Sequence, residues 1–463
     1  MKKSRIYLFF IDILFIGLFN YVYIMIVSPK WAYYGFTYDS PPLETMIFAW
    51  ILGILPIFWM PIRINRPSQV LYWMLYAIVY VPSLFLPHYL QRQPPRDIYL
   101  LNISFFLSFC LLGMAYKLPL QAITAPKLSK YAWWSFVFIA GGFLYLMVMA
   151  VYGGRLQLAG LYNIEVRLAS RELNTWFLTG YGQAWLANVI NPMFMALGLF
   201  RKKPHLFLIG AAGQVLLFMT VAMKAWLLSI FLLPFIFVIL NSKNNFFALR
   251  FIIAMSVLLL IPIICLYIDS SFSGRIQDLI GFRLFSDPGF MTSVYSDYFS
   301  KNPWTYWSHL KGLSTVVEYP YDLTINYLIG EYLGNVLNSF NAHAWATDGI
   351  AAMGMTGVLV VGLLMAIIFY ILDCFTVGLD PKVPGLAIVM HGISLANLSL
   401  MSSCLGGGLF FNIILFWMMP RYIIRRQLVG GNKLSLFEGW IKRRYHLHNE
   451  SGIKDNMLKG DPG

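Results

Sequence analysis

The sequence predicts an all-α polytopic integral membrane protein, a single membrane domain over residues 1–463 with about 12 transmembrane helices. Two observations predict this class: 59% of the residues are hydrophobic while only 12% are charged, and apolar runs recur along most of the chain. A soluble domain carries about 25% charged and 45–50% apolar residues. A water-soluble fold is therefore excluded, because it could not bury this much apolar surface.

Twelve apolar runs approach the roughly 20 residues that a helix needs to cross a bilayer. They cover residues 7–27, 45–62, 70–87, 98–116, 132–152, 176–200, 206–223, 225–240, 251–268, 349–372, 386–402 and 408–420. The first run follows a short basic segment and has no small-residue cleavage site after it, so we expect a retained anchor with a cytoplasmic amino terminus. An even number of spans then places the carboxyl terminus in the cytoplasm as well.

The formal net charge of +14 is explained by topology rather than by nucleic acid. With this span assignment, 23 of the 34 Lys and Arg residues fall in cytoplasmic segments. Such a bias is what the positive-inside rule requires. The four cysteines lie far apart and mostly in apolar runs, so they indicate neither a disulfide framework nor a metal site.

The tail, residues 421–463, is polar and basic. Leu434, Phe437, Trp440 and Ile441 recur in it at helical spacing, which predicts an amphipathic helix on an anionic lipid surface. The cytoplasmic segments contain no nucleotide-binding motif, so we expect no use of ATP by this chain alone.

Two long segments are predicted on the outer face, residues 153–175 and 269–348. Loops of this length in compact proteins are usually functional. The second is rich in Tyr, Trp and Asn, and includes Tyr321 and Asp322 in the stretch Tyr-Pro-Tyr-Asp. Aromatic faces beside carboxylates and amides can hold sugars, and they also occur as an aromatic belt at the membrane surface.

Basic residues are the minority on the predicted outer face, so each of them needs a reason. The candidates are Arg155, Arg167 and Arg171 in the first loop, Lys224 in a hairpin between two spans, and Arg275 and Arg283 in the second loop. A diphosphate-bearing substrate would need such a cluster to neutralise its charge near hydrocarbon. Lys224 also fits a simpler role as an anchor of its turn.

The stretch from Asn338 to Gly357 runs from the second loop into the tenth span and contains His343, Asp348 and Gly354. It resembles the junction in O-antigen polymerases of the Wzy type and in their relatives, the O-antigen ligases. The spacing of His343, Gly354 and Gly357 is similar to the ligase pattern, except that Ala344 stands where ligases have a polar residue. The many spans, both cytoplasmic termini and the large outer loops with arginines are also similar to this superfamily.

The resemblance implies a glycosyltransferase of the bacterial inner membrane that polymerises repeat units linked to undecaprenyl diphosphate. It implies that Lys224 and the arginines hold the diphosphate, and that His343 or Asp348 is the base for the acceptor hydroxyl. The chemistry requires neither nucleotide nor metal, and a chain-length regulator is a further expected partner. His343 also fits a solvated residue, Asp348 fits a helix N-cap, and Gly354 and Gly357 fit close helix packing.

Three other activities stay open. One is an O-antigen ligase that transfers finished polymer to lipid A core. Another is a lipid-linked glycan transporter or flippase, although charged residues in mid-span are few. The third is a glycosyltransferase that uses polyprenyl-phosphate sugars, for which Asp39 and Glu44 in the first short outer loop would be candidates.

Overall fold

A computed structural model describes residues 2–158, 177–242, 246–268, 270–310, 312–335 and 339–421, and within these ranges the chain is helical without any strand. The α-helices are Lys2–Val22, Ser28–Trp31, Leu43–Ile54, Ser68–Leu75, Val81–Leu90, Pro95–Ala115, Lys130–Tyr152, Phe177–Trp185, Asn191–Phe200, Pro204–Val221, Lys224–Leu240, Phe247–Ile264, Ser271–Gln277, Asp287–Lys301, Ile325–Tyr332, Ala351–Phe375, Lys382–Ala387, Val389–Leu395 and Leu409–Met418. π-Helical stretches are Tyr23–Val27, Tyr76–Tyr80, Leu186–Ile190, Asp278–Ser286, Trp345–Ile350 and Ser402–Gly406. The 3₁₀ turns are Ala32–Tyr34, Leu55–Phe58, Gly153–Arg155, Cys265–Tyr267 and Leu313–Thr315.

Among the described residues, seven helices are long and apolar enough to cross a membrane, which indicates a membrane protein. They are Lys3–Tyr34, Ser68–Leu90, Pro95–Ala115, Lys130–Arg155, Pro204–Val221, Phe247–Tyr267 and Trp345–Phe375. Three further apolar helices, Leu43–Phe58, Lys224–Leu240 and Leu409–Met418, are shorter. The prediction of twelve spans is not confirmed, because several apolar runs are short or, as in 386–402, interrupted.

Helix Ser68–Leu90 forms the centre of the bundle, and its apolar window is wholly buried. Tyr76 and Tyr80 carry polar hydroxyls on this buried helix. They donate hydrogen bonds to carbonyl oxygens of the neighbouring helix, at 2.9 Å for Gly53 and 2.8 Å for Leu52. An unsatisfied hydroxyl in such surroundings costs about 1–3 kcal/mol. These bonds therefore let an aromatic, polar-tipped helix occupy the apolar core.

The bundle has two ends. We call the tail end the one formed by residues 57–68, 115–130, 200–205, 375–382 and 419–421, and the loop end the one formed by residues 28–42, 90–95, 153–158, 221–224, 396–408 and the described residues between 265 and 350. At the tail end, Arg66 donates to the carbonyl oxygens of Ala115, Tyr116 and Leu118, where helix Pro95–Ala115 finishes. The last carbonyls of a helix lack intrahelical donors and favour positive charge. Part of the basic charge thus caps helices at this end.

The segment 269–348, expected to be a long loop, is largely helical. Residues 271–301 form one continuous helical stretch, and Asp287–Lys301 packs along Val81–Leu90. The Ser83 and Thr292 hydroxyls lie 2.7 Å apart, and Ser296 donates to Gln93 at 2.8 Å. A Cβ on Gly289 would lie 2.4 Å from the carbonyl oxygen of Pro82, so the two helices touch through backbone. Small and polar residues therefore let helix Asp287–Lys301 pack closely and be largely buried at the loop end.

Candidate functional site

The apolar run 345–375 reverses direction at Met353 and Gly354, whose backbone angles are not helical; Gly354 has φ +57° and ψ −137°. A Cβ on Gly357 would lie 2.0 Å from the carbonyl oxygen of Gly349. In a straight helix, residues eight apart are separated by about 12 Å. Residues 344–352, which we call the half-helix, therefore fold back on the helix that ends at Phe375. Gly349 and Gly357 meet where the half-helix crosses the longer helix.

Asp348 lies on the half-helix and is 2% exposed. Its Oδ1 atom lies 2.9 Å from Nε2 of His309. Its Oδ2 atom accepts hydrogen bonds from the backbone N–H groups of Leu400, at 2.5 Å, and Met401, at 3.4 Å. These N–H groups start the helical turn at residues 400–406, where no intrahelical carbonyl can satisfy them and negative charge is favoured. Asp348 thus joins the half-helix, His309 and a third element.

The second nitrogen of His309 faces Thr305. Nδ1 lies 3.0 Å from the Thr305 hydroxyl, which also lies 3.2 Å from the carbonyl oxygen of Ala351. Because Asp348 is the acceptor at Nε2, a neutral His309 carries its proton there and keeps a lone pair on Nδ1. Thr305 has one proton for two acceptors, so it does not hold that lone pair exclusively. A carboxylate-oriented imidazole of this kind can act as a general base.

His343 occupies a different environment, because its side chain is fully buried. Its Nδ1 atom accepts from the backbone N–H of Ala346 at 3.3 Å, and its Nε2 atom lies 2.8 Å from the Thr292 hydroxyl. Burial lowers the pKa of His343 to about 3, so the ring is neutral. Both nitrogens are therefore bonded inside the protein. This geometry favours a role in fixing the half-helix against helix Asp287–Lys301, and the predicted role as a base stays a prediction.

Two of the predicted cations lie on the helical stretch 271–286 of the loop end. Arg283 makes an ion pair with Asp287 at 3.3 Å and stacks over the Phe282 ring, with its side chain 63% exposed. Burial raises the pKa of Asp287, and the Arg283 guanidinium opposes that rise. Arg275 precedes them by two helical turns, on the same stretch as the Lys30–Asp278 ion pair at 2.6 Å. This stretch thus carries two arginines, and Lys30 of the helix Ser28–Trp31 packs against it.

The other predicted cations lie elsewhere at the loop end or outside the described residues. Arg155 is exposed at the end of helix Lys130–Tyr152, two residues before Gln157, whose backbone N–H donates to the carbonyl oxygen of Met219. Lys224 begins helix Lys224–Leu240, three residues after the end of helix Pro204–Val221, which contains Met219. Arg167 and Arg171 lie outside the described residues.

Tyr321 and Asp322 line a cleft of about 610 Å³ at the loop end. The remaining lining residues are Glu318, Tyr319, Pro320, Leu323, Leu328 and Glu331. The Tyr321 hydroxyl donates to the carbonyl oxygen of Pro303 at 2.5 Å, two residues before Thr305. One hydrogen bond therefore links the cleft to the segment 303–309, which also carries His309.

Sequence reasoning missed His309 as a candidate. No motif surrounds it, and Asp348 is 39 positions away in the chain. The two segments meet through the fold, where the backbone N–H groups of Thr305 and Tyr306 donate to the carbonyl oxygens of Ala351 and Ala352. It also missed Asp297, a buried carboxylate that accepts from Lys301 and Tyr332, each at 2.6 Å. The hydrogen bond to Asp297 raises the pKa of Lys301.

Within the part of the chain that the structure describes, no group of three or more His, Cys, Asp or Glu side chains is arranged to hold a metal ion. The chain matches no family model, no curated protein and no solved structure. The assignment of an activity therefore depends on the chemistry of the loop end.

Proposed function

We propose that this chain is a membrane glycosyltransferase that polymerises undecaprenyl-diphosphate-linked oligosaccharide repeat units into O-antigen or a related surface polysaccharide. The observation that carries the proposal is the His309–Asp348 pair at the loop end, where the His309 side chain is 11% exposed and the segment 303–309 is hydrogen-bonded to an aromatic cleft. In this proposal His309, oriented by Asp348, takes the part of the base that the sequence alone assigned to His343 or Asp348.

The reaction joins two lipid-linked glycans. The acceptor hydroxyl attacks the anomeric carbon of the donor, a new C–O bond forms, and the bond from that carbon to the diphosphate oxygen breaks. The hydroxyl proton passes to Nδ1 of His309, while Asp348 stabilises the imidazolium that results. Undecaprenyl diphosphate leaves with the bonding electrons. Because the leaving group is already activated, the protein supplies mainly orientation and charge.

The leaving diphosphate needs cations at the membrane boundary. We assign this role to Arg283 and Arg275, with Lys224 and Arg155 as further candidates at the loop end. Arg283 is the best placed of them, because its guanidinium is largely exposed and held flat by the Phe282 ring. Its partner Asp287 leaves part of the guanidinium for an anion.

The proposed location is the bacterial inner membrane, with both termini in the cytoplasm and the loop end in the periplasm. Several arginines bond helix carbonyls at the tail end, which agrees with a cytoplasmic placement under the positive-inside rule. The expected partners are lipid-linked oligosaccharides, membrane lipids and a chain-length regulator. An O-antigen ligase would use the same groups with lipid A core as the acceptor.

A transporter or flippase of lipid-linked glycans is the second candidate, because two apolar runs are interrupted. The chain reverses at Gly354, and residues 382–406 form three short helices rather than one span. Discontinuous helices of this kind form substrate sites in many transporters. The His309–Asp348 pair is the observation that favours an enzyme, since transport of a glycan needs no base.

The experiment is a lipopolysaccharide gel from the source bacterium with this gene deleted. Core with a single repeat unit and no ladder supports a polymerase; bare core with accumulated lipid-linked polymer supports a ligase. Lipid-linked single units retained on the cytoplasmic face support a flippase. An unchanged profile of every surface glycan contradicts all three.

Complementation then tests the base. We expect His309→Ala to leave single repeat units and to lower the polymerisation rate by about 10²–10⁴, the contribution of a general base. His205→Ala is the matched control, because His205 is exposed at the tail end and should restore the ladder. A full ladder from His309→Ala at normal expression would remove His309 from the reaction.

A further inference from the structure

The cleft at the loop end has a definite shape and charge. Its volume of about 610 Å³ lies within the range of small-ligand sites, about 300–1,000 Å³. Tyr319, Pro320 and Tyr321 supply ring surfaces, while Leu323 and Leu328 supply aliphatic surface. The hydrogen bond from Tyr321 connects the wall of the cleft to Pro303, on the segment that carries His309.

The tyrosine rings are fixed before any ligand arrives. The Tyr319 hydroxyl donates to the carbonyl oxygen of Leu323 at 2.8 Å, and the Tyr321 hydroxyl bonds Pro303. The two rings pack edge to face with centroids 5.7 Å apart, and Tyr321 also packs against Phe299. A fixed ring loses little rotamer entropy when a ligand stacks on it. The cleft is therefore preorganised for a ligand with a flat apolar face.

The polar groups of the cleft have one sign. Glu318, Asp322 and Glu331 are exposed carboxylates, and no Lys, Arg or His is among the described residues that line the cleft. Carboxylates accept hydrogen bonds, so they suit hydroxyl and ammonium donors. An ammonium is also attracted to a tyrosine face. A carboxylate or phosphate on the ligand would instead meet like charge.

Resting on the proposed function, we propose that this cleft is the acceptor-glycan subsite and that it selects a neutral or amino-bearing sugar over an acidic one. The sugar stacks its C–H face on Tyr321 and donates its hydroxyl or amino protons to the three carboxylates. The segment 303–309 then sets the distance from the seated sugar to His309. The charged group that the enzyme does bind, the donor diphosphate, belongs to the cationic helical stretch 271–286.

The test is binding of soluble probes to the purified full-length protein in detergent, measured by saturation-transfer NMR and titration at mildly acidic pH. The probes are chitotetraose, which is neutral, its de-N-acetylated form, which is cationic, and tetragalacturonate, which is anionic. We expect the cationic probe to bind most tightly, the neutral probe about fivefold more weakly, and the anionic probe about fivefold more weakly again. Added salt should compress the order, because exposed charges are screened.

Variants separate the charge from the stacking. Glu318→Gln/Asp322→Asn/Glu331→Gln should erase the order and keep chitotetraose binding, whereas Asp97→Asn, at a half-exposed carboxylate outside the cleft, should change nothing. Tyr321→Ala should lose all three probes and Tyr321→Phe should keep them, because only the ring is required.

Equal or tighter binding of tetragalacturonate overturns the selectivity, and so does an order that survives in the triple variant. Absence of binding by every probe overturns the subsite itself. The lipopolysaccharide profile of the deletion strain judges the proposed function separately. A lost ladder with failed probe binding would keep the polymerase and discard the subsite.

Discussion

Two histidines of the loop end differ in what their nitrogens bond. His309 has one nitrogen on a carboxylate and the other on a hydroxyl that has a second acceptor. His343 accepts from backbone at one nitrogen and faces Thr292 at the other, with no exposed surface. A base must reach its substrate. At the residue scale, bonding and exposure together separate the candidate base from the structural residue.

This difference predicts opposite phenotypes. His343→Gln should lower the stability of the purified protein by about 1–2 kcal/mol, because buried hydrogen bonds are lost or strained. The fraction that folds should still extend the glycan. The measurement is thermal unfolding in detergent together with the lipopolysaccharide ladder, compared with His309→Gln. A stable His343→Gln protein with no ladder would return His343 to the reaction.

At the element scale, the half-helix exists because two glycines remove side chains from its turn and its crossing. Gly354 has a positive φ and lies under the Trp304 ring, to which an added Cβ would come within 3.1 Å. Gly357 touches the carbonyl of Gly349. Asp348 reaches both His309 and the N–H groups of residues 400 and 401 only if this reversal forms.

Gly357→Ala should therefore prevent the half-helix from closing and reduce the folded yield severely. Gly354→Ala should cost about 1–2 kcal/mol, because a non-glycine residue is strained at positive φ. The control is Gly142→Ala, since a Cβ at Gly142 meets nothing within 4 Å and alanine favours a helix by up to about 1 kcal/mol. Size-exclusion profiles and melting temperatures measure all three. Wild-type behaviour of Gly357→Ala would contradict the reversal.

The helical stretch 271–301 gives a second prediction at this scale. In a protein whose native cysteines are replaced, Ser83→Cys/Thr292→Cys should oxidise to a disulfide, because the native hydroxyls are 2.7 Å apart. Ser83→Cys/Thr315→Cys is the control, since Thr315 lies in an exposed turn. Free thiols in both double-cysteine variants are counted by the gel shift that a maleimide polymer produces. Failure of the first pair to oxidise would favour a solvated loop over residues 269–348.

The sequence predicts some of these elements and not others, for physical reasons. Hydropathy finds long helices such as Pro95–Ala115, because a continuous apolar run has few other places to lie. It does not find helix Asp287–Lys301, which is buried with serines, threonines and aspartates that bond within the protein. The sequence identifies Asp348 because it lies in the stretch from Asn338 to Gly357, which resembles the junction of O-antigen polymerases. It does not identify His309, because the partner of His309 arises from contacts between distant segments.

At the scale of the whole molecule, the two ends differ in chemistry. The loop end holds the largely buried His309–Asp348 pair, the acidic aromatic cleft and the cationic stretch 271–286, which are built from different residues. The tail end uses Arg66 and Arg421 to cap helix carbonyls. A reaction between two lipid-linked substrates needs such a division, because the donor diphosphate and the acceptor sugar carry different charges.

The division also predicts the orientation of the protein. In a cysteine-free background, Ser314→Cys at the loop end should react with a membrane-impermeant maleimide in cells whose outer membrane alone is opened, because residue 314 is exposed on the proposed periplasmic side. Lys127→Cys, equally exposed at the tail end, should react only after the cells are broken. We expect this pattern because the tail end is rich in arginine, and the positive-inside rule places such segments in the cytoplasm. The reverse labelling pattern would place the His309–Asp348 pair on the cytoplasmic side, where glycans have not yet been exported, and would remove the polymerase proposal.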